Sequence, residues 1–422
     1  RSDSVRAARL DYLLFRMWPW ILGHLGLVLH VAAPSGQERR DTKTFSQSMA
    51  NSNEDLKRVC YYAVPRAGGG DGTVKAKLQP EEIDPDLCTH LIVAFARIRN
   101  MTLEPQDPDD TQIYRRAVAL KEKNPNLKVL LSVGGGGTHG GFPDLVSDSK
   151  AVAQFCYASR EFLLEYGFDG LDLDWEFPAW PILQRDPIEK QLFTQLVQQL
   201  NNALNLSSHP PLLLTIAVAG PKAIIDRSYD VPSLAKYVDW VSIMGYDYHI
   251  FWSYLPFTGH NAPLFKRNIE KSYFATMNIK WSAEYWERKG MPKSKLVIGI
   301  PTYGRTWKLL SSMWNGVAAP SLGTGILGGD ISYPQACTFV QEGGHRYFDK
   351  ESQVPYAVRN KDWISYEDKE SIRKKVEWIK QSNYIGVMTW NLNCDDITAI
   401  CGDRRFELHQ IIKDIATGTY IS

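Results

Sequence analysis

Net charge is nearly absent from this chain: 48 basic residues face 47 acidic ones. That balance gives no electrostatic reason to expect nucleic acid or an anionic membrane surface as a partner. Cysteine is scarce, with Cys60, Cys88, Cys156, Cys337, Cys394 and Cys401 the six among 422 residues. They form no CxxC pair and no Cys/His cluster of zinc spacing, so no metal site is expected, and no cofactor either. No GxGxxG turn opens a helix, which argues against a dinucleotide-binding open sheet. With 44% hydrophobic residues the chain can bury one large core or two smaller ones.

Residue 1 is Arg, and Met17 opens MWPWILGHLGLVLHVAAPSG, an apolar stretch ending in small residues as a secretory signal does. Residues 1–34 are therefore expected to hold a signal peptide, with a signal-anchor as the alternative. Interruption by Pro19, Gly23, His24 and His30 favours cleavage. Residues 35–57 are polar without periodicity and read as a disordered linker, and 418–422 as a C-terminal tail. The sequons at Asn100 (NMT) and Asn205 (NLS) agree with export. The expectation is a secreted, extracellular monomer without stable membrane insertion once the signal is cleaved.

What stands out against this even background is residues 169–176, DGLDLDWE. In a strand, side chains alternate faces, so Asp172, Asp174 and Glu176 project one way and Leu171, Leu173 and Trp175 the other. FLLEYGF before the motif and FPAW after it mark the strand as buried. Three carboxylates on one face of a buried strand repel one another and lose hydration, which serves where a shifted pKa is useful.

Short apolar, β-rich runs recur at 59–64, 90–98, 128–135, 167–176, 212–220, 238–247, 296–305 and 384–392. Amphipathic helical patterns such as 149–166, 188–204 and 369–382 separate most of them. Eight strands with helical crossovers imply an α/β fold, a (β/α)8 TIM barrel over 58–417. The interval between strands seven and eight is rich in Gly and aromatics, and SYPQACTFV, HRYFDK, VPYAVR and DWISY read as short antiparallel strands. A small α+β insertion domain is expected at 306–368, on the face where such barrels do chemistry. At that rim the spacing places Ser132, Gly134 and Gly135 (strand three), Asp174 and Glu176 (four), Met244, Tyr246 and Asp247 (six), Tyr303 and Arg305 (seven) and Trp390 (eight).

On these residues the chain resembles glycoside hydrolase family 18, the animal chitinases and chitinase-like proteins. The likeness rests on SVGG at 132–135, DGLDLDWE at 169–176, MGYDYH at 244–249, PTYGR at 301–305 and MTW at 388–390. The resemblance implies hydrolysis of β-1,4-linked N-acetylglucosamine in chitin or its oligosaccharides, with retention of configuration. Glu176 would be the general acid, and the substrate's own acetamido oxygen would replace the carboxylate nucleophile of ordinary retaining enzymes. Asp174 would orient that acetamido group with Asp172 behind it, and Tyr246 and Asp247 would hold it from the other side. The implied sugar contacts are Tyr61, Phe95, Ser132, Gly135, Gly136, Trp175, Met244, Trp252, Tyr303, Arg305 and Trp390. Cys60–Cys88 and Cys337–Cys401 match the family's two usual bridges, leaving Cys156 and Cys394 unpaired.

The chain also departs from the pattern. Strongly active members carry a tryptophan where this chain has Gly136, and often another where it has Pro65, so sugar-stacking surface is missing. Trp180 and Trp252 are candidates to replace part of it. Non-catalytic relatives typically lose the glutamate at the Glu176 position, which this chain keeps. A sugar-binding lectin or growth-factor-like protein is the competing expectation.

Overall fold

A strand that is apolar on both faces must be covered on both, and a closed parallel barrel ringed by helices does this without leaving an edge. The computed structural model describes residues 56–65, 78–136, 140–180, 185–206 and 210–420. The expected signal segment lies outside these residues, as does the expected linker up to residue 55. In chain order the strands are β1 (Lys57–Ala63), β2 (His90–Arg99), β3 (Thr102–Pro105), β4 (Lys128–Gly134), β5 (Gly170–Asp174), β6 (Leu213–Ala219), β7 (Trp240–Met244), β8 (Leu296–Pro301), β9 (Tyr303–Leu309), β10 (Ser321–Thr324), β11 (Asp330–Ser332), β12 (His345–Asp349), β13 (Val354–Arg359), β14 (Asp362–Ser365) and β15 (Gly386–Trp390).

β1, β2, β4, β5, β6, β7, β8 and β15 pair in parallel in that order, and β1 pairs with both β2 and β15. The result is a closed (β/α)8 barrel, the fold class expected. The barrel lies in one unit, Asp55–Trp180 with Asp186–Ser422. Register is what matters for the site. Asp172 on β5 stands directly between Ser132 on β4 and Thr215 on β6. Asp174 stands beside Gly134.

The helices form where periodicity and caps agree. Ser149–Tyr166 starts where Asp148 accepts a hydrogen bond from the Lys150 backbone and ends at Gly167, whose φ of 76° suits a residue without a Cβ. Its Val152, Phe155, Cys156 and Leu163 are buried. Lys369–Gln381 begins at Asp368, whose side chain accepts from the backbone of Glu370 and Ser371. Among the described residues no helix is long and apolar enough to cross a membrane.

Two expectations about the seventh strand and its insertion need correction. The run 296–305 is not one strand: β8 ends at Pro301, and β9 starts at Tyr303 in a different sheet. Tyr303 and Arg305 therefore belong to the first strand of the insertion, not to the barrel. SYPQACTFV is a helix, Tyr333–Gln341, because Ser332 caps it and Gln335 reaches back to the Ser332 backbone, with Pro334 in the first turn. Around these, β10, β9, β14, β13 and β12 form an antiparallel sheet in that order, with β11 on β9. One face of the sheet buries Trp307, Leu309, Val358 and Trp363. Ile331, Ala357, Ile364 and Tyr366 pack with Phe339 of the helix.

Cys60 is bonded to Cys88, tying β1 to the approach to β2, and Cys337 to Cys401. Cys156 and Cys394 are free and buried. Asn100 and Asn205 are exposed.

Candidate active site

The polar residues of the barrel interior form a column. Asp172, fully buried, accepts three hydrogen bonds: from Tyr61 Oη (2.6 Å), Ser132 Oγ (2.7 Å) and Thr215 Oγ1 (2.6 Å). Burial pushes its carboxyl above the usual range, while the three donors pull it back. Asp174, one side-chain repeat nearer the rim, is also buried, and its Oδ1 makes no hydrogen bond among the described residues. Burial, with the charges of Glu176 and Asp172, holds its carboxyl well above the ordinary value. Glu176 follows at the mouth, half-buried. Burial, assisted by the Asp247 carboxylate, pushes its carboxyl up to about 7.

The glycines of SVGG let two strands meet here. A Cβ on Gly134 (φ 110°) would fall 2.2 Å from the Asp174 carbonyl oxygen, and one on Gly135 (φ 89°) would enter the Phe95 ring at 2.5 Å. Gly135 N–H donates to that same Asp174 carbonyl at 2.9 Å. Gly136 differs: its φ is outside the left-handed region, and its Cβ would sit 3.3 Å from Glu176 Oε1.

Opposite Glu176 the wall comes from the exit of β7 and from the insertion. Asp247 (φ 57°) accepts from Tyr303 Oη at 2.7 Å, and from Arg305 Nε at 2.8 Å and Nη2 at 2.7 Å. Arg305 also pairs with Asp330 on β11. Tyr246 is packed edge-on against Tyr303, with centroids 5.9 Å apart, and its hydroxyl lies 3.9 Å from Met388 Sδ. Burial, with the Asp174 and Glu176 charges, keeps that phenol protonated far above neutral pH. Trp390, half-buried at the end of β15, stacks on Phe95 (5.4 Å, 23°) and tilts against Tyr61 (5.4 Å).

The expected sugar contacts differ in how much surface they present. Trp175 is 1% exposed, stacked flat on Phe142 and edge-on to Phe193. It belongs to the outer face of β5, with Leu171 and Leu173, and presents nothing to the cleft. Tyr61 and Ser132 are buried beneath the rim, where they hold Asp172. Met244 and Tyr303 are also buried, whereas Trp252 is exposed and stacks on Tyr254 (5.7 Å, 24°). Asp169 lies at the far end of β5, where it accepts from Val129 N–H and Lys121 Nζ. Two residues were missed. Thr215, the lone polar residue inside LLLTIAVAG, carried a legible signal; Asn261, in a loop without periodicity, carried none.

The family model for glycosyl hydrolases family 18 matches residues 57–395. This chain is a member of glycosyl hydrolase family 18. Mouse Chitotriosidase-1 is 40% identical over 81% of this chain and 74% of its own length. Human Chitinase-3-like protein 2 is 36% identical over 85% of this chain and 92% of its own. Among solved structures, Ostrinia furnacalis Group IV chitinase in complex with allosamidin superposes with a TM-score of 0.79, at 34% identity over 87% of this chain and 100% of that one. Human YKL-39, described as a pseudo-chitinase with retained chitooligosaccharide binding properties, gives 0.78 at 35% identity over 86% and 100%. This family-18 chain thus has both cutting and non-cutting proteins among its relatives.

The raised Glu176 pKa has a thermodynamic signature. With a folded value of about 7 against an ordinary 4.5, the folded state holds the proton more tightly than the unfolded chain. The resulting stabilisation is complete below about pH 4.5 and is lost as pH rises to about 7. Glu176→Gln, which cannot ionise, is expected to match wild type near pH 4 and to exceed it at pH 8 by up to about 3 kcal/mol. Thermal unfolding at the two pH values checks this.

Proposed function

We propose that the protein hydrolyses β-1,4 linkages between N-acetylglucosamine residues in chitin or chitooligosaccharides. The observation that carries this reading is Glu176: a carboxyl poised at about 7, at the mouth of a column whose two deeper carboxyls are buried beside it. A general acid works best with a pKa near the operating pH, protonated often enough to donate and acidic enough to let go.

In this scheme Glu176 donates its proton to the glycosidic oxygen as the bond to the anomeric carbon breaks. The substrate's acetamido carbonyl oxygen attacks that carbon from the other face and forms a cyclic oxazolinium ion. The buried Asp174 Oδ1, without a partner among the described residues, suits the acetamido N–H. Asp172, held by three donors, stays fixed while Asp174 moves to meet the substrate. Tyr246 and Asp247 close the other side of the acetamido group, and Trp390 floors the sugar ring. The Glu176 carboxylate then takes a proton from water as that water opens the oxazolinium ion, giving the β-product and restoring the acid. The paired cysteines and the exposed sequon asparagines support a secreted, extracellular protein.

A second reading, sugar binding without cleavage, is favoured by one observation. The rim offers no ring at Gly136, directly beside Glu176.

Glu176→Gln is expected to lower hydrolysis of a fluorogenic N-acetylglucosamine oligomer by ~10²–10⁴-fold or more with the fold intact. In wild type, kcat/KM is expected to fall as pH rises through about 7, because the acid form of Glu176 is then lost. Near-normal turnover in the variant refutes the assignment, and a folded wild type that binds oligomers but cuts none selects the second reading.

Stereochemistry tests the nucleophile separately. Proton NMR of fresh product is expected to show the β-anomer first, with no cutting of cellulose oligomers, which have no acetamido group. An initial α-anomer contradicts the scheme.

Gly136→Trp probes the grip. Gly136 does not use a glycine-only backbone, and Glu176 needs to yield only a few tenths of an ångström to admit a Cβ. On the Glu176→Gln background, affinity for a six-sugar oligomer is expected to rise several-fold, about 1 kcal/mol, and more than for a disaccharide. Calorimetry showing equal gains would place residue 136 off the path of the long chain.

A further inference from the structure

Asn261 lies in the long connection after β7, is 1% exposed, and uses every polar group it has. Its side-chain Oδ1 accepts from Asp247 N–H at 3.0 Å, and its Nδ2 donates to the Tyr303 carbonyl at 3.3 Å. Its own N–H donates to Ser365 Oγ on β14 at 2.9 Å, and its carbonyl accepts from Tyr248 N–H at 3.1 Å. One rigid planar amide thus spans the exit of β7 and the start of β9.

What it spans is the seat of one rim carboxylate. Asp247 has φ 57°, a backbone state that residues other than glycine keep when their surroundings hold it. That turn aims its carboxylate at Tyr303 Oη and at the Arg305 guanidinium. The Asn261 amide binds the backbone of both the acceptor residue and the phenol donor, so it sets the distance between them.

We propose that Asn261 is a positioning residue that brackets Asp247 to Tyr303 and so fixes the Asp247 carboxylate opposite Glu176. This rests on the hydrolase reading above and adds a residue to its machinery. The groups facing Glu176 are Asp174 on β5, with Asp172 beneath it, Tyr246 and Asp247 after β7, and Tyr229; Arg305 lies behind Asp247. Of these, Asp247 is the neighbour whose charge raises the Glu176 pKa, second to burial. Losing Asn261 lets that charge drift, so the alkaline limb governed by Glu176 moves to lower pH.

The test is a double-mutant cycle of Asn261→Ala and Asp247→Asn, read as kcat/KM against pH. A second cycle reads calorimetric binding of a four-sugar N-acetylglucosamine oligomer on the Glu176→Gln background. Asn261→Ala is expected to lower kcat/KM roughly tenfold, as loss of one buried hydrogen bond to a positioned group does. It is also expected to move the alkaline limb down, as Asp247→Asn does. Added to Asp247→Asn it is expected to cost less than ~2-fold more, because both changes remove the same group from its place. Additive losses, or a folded Asn261→Ala with normal kcat/KM and an unmoved limb, overturn the proposal. If the alanine variant does not fold, Asn261→Ser, whose hydroxyl is too short to reach Asp247 N–H, carries the same expectations. Normal hydrolysis in both Glu176→Gln and Asp247→Asn would instead remove the assignment of Glu176 as the acid, on which this inference rests. An inert Asn261 beside a damaging Asp247→Asn removes only this inference. If the wild type cuts nothing, the binding cycle decides: losses of oligomer affinity in Asn261→Ala and Asp247→Asn that overlap when combined support the bracket, and additive losses or an unchanged affinity in Asn261→Ala overturn it.

Discussion

A carboxylate with no exposed surface is expensive unless hydrogen bonds replace the water it has lost. Asp172 is that group, and its three donors come from β1, β4 and β6. Ser132 and Thr215 reach it because parallel pairing puts all three residues at one level. Tyr61 reaches it only because the barrel closes and β1 faces β5 across the interior. Closure, register and the buried charge therefore depend on one another. An open sheet with the same strands would have left Asp172 one donor short. With Asp172 satisfied, Asp174 and Glu176 inherit positions set by the strand repeat, each nearer to solvent than the last.

The other wall is built differently. It stands on loops and on the insertion: Asp247 from the exit of β7, Tyr303 and Arg305 from β9, and Asp330 from β11. The joint to the barrel is made at Thr302. Its N–H donates to the Trp390 carbonyl at 2.9 Å and its hydroxyl to the Asn391 carbonyl at 2.6 Å. The insertion sheet thus begins bonded to the end of β15, the strand that carries Trp390. A second sheet growing out of that point supplies what a barrel rim lacks, side chains that lean back over the cleft.

How much of this could be read from residues alone follows from how local each constraint is. DGLDLDWE announced a carboxylate face because strand alternation is a two-residue rule, and its outcome survives any tertiary context. The same rule should have removed Trp175 from the sugar contacts, since it shares a face with Leu171 and Leu173, and the structure buries it against Phe142. The break at Thr302 was hidden because Tyr303, Thr306 and Trp307 continue the strand-favouring composition of LVIGIP beyond it, leaving Pro301 as the local sign. The helix in SYPQACTFV was hidden by Tyr, Cys, Thr, Phe and Val, which favour strands, while its signal lay in the Ser332 and Gln335 cap. Asn261 could not have been found, because its partners are 14, 42 and 104 residues away in sequence.

Proton handling and grip are housed in separate parts of this molecule, and that separation bears on how such a fold diversifies. The two deeper carboxyls stand on β5, locked by register, where any change exposes or orphans a buried charge, and the proposed acid follows two residues beyond the strand. The surfaces that would hold a long sugar chain stand on connections after the strands. There, a residue such as Gly136 is outside the left-handed backbone region, and the nearest atoms an added Cβ would meet among the described residues are those of the Glu176 carboxylate. Substitution at such an open position is therefore cheap in stability, whereas substitution in the column, or at a buried bracket such as Asn261, is not. YKL-39 is described as having kept oligosaccharide binding without cutting. The present chain has all three carboxyls of its column, with no ring at Gly136 beside Glu176. In this barrel the strand register that locks the column stops at Asp174, and the connections that would meet a polymer begin beyond it.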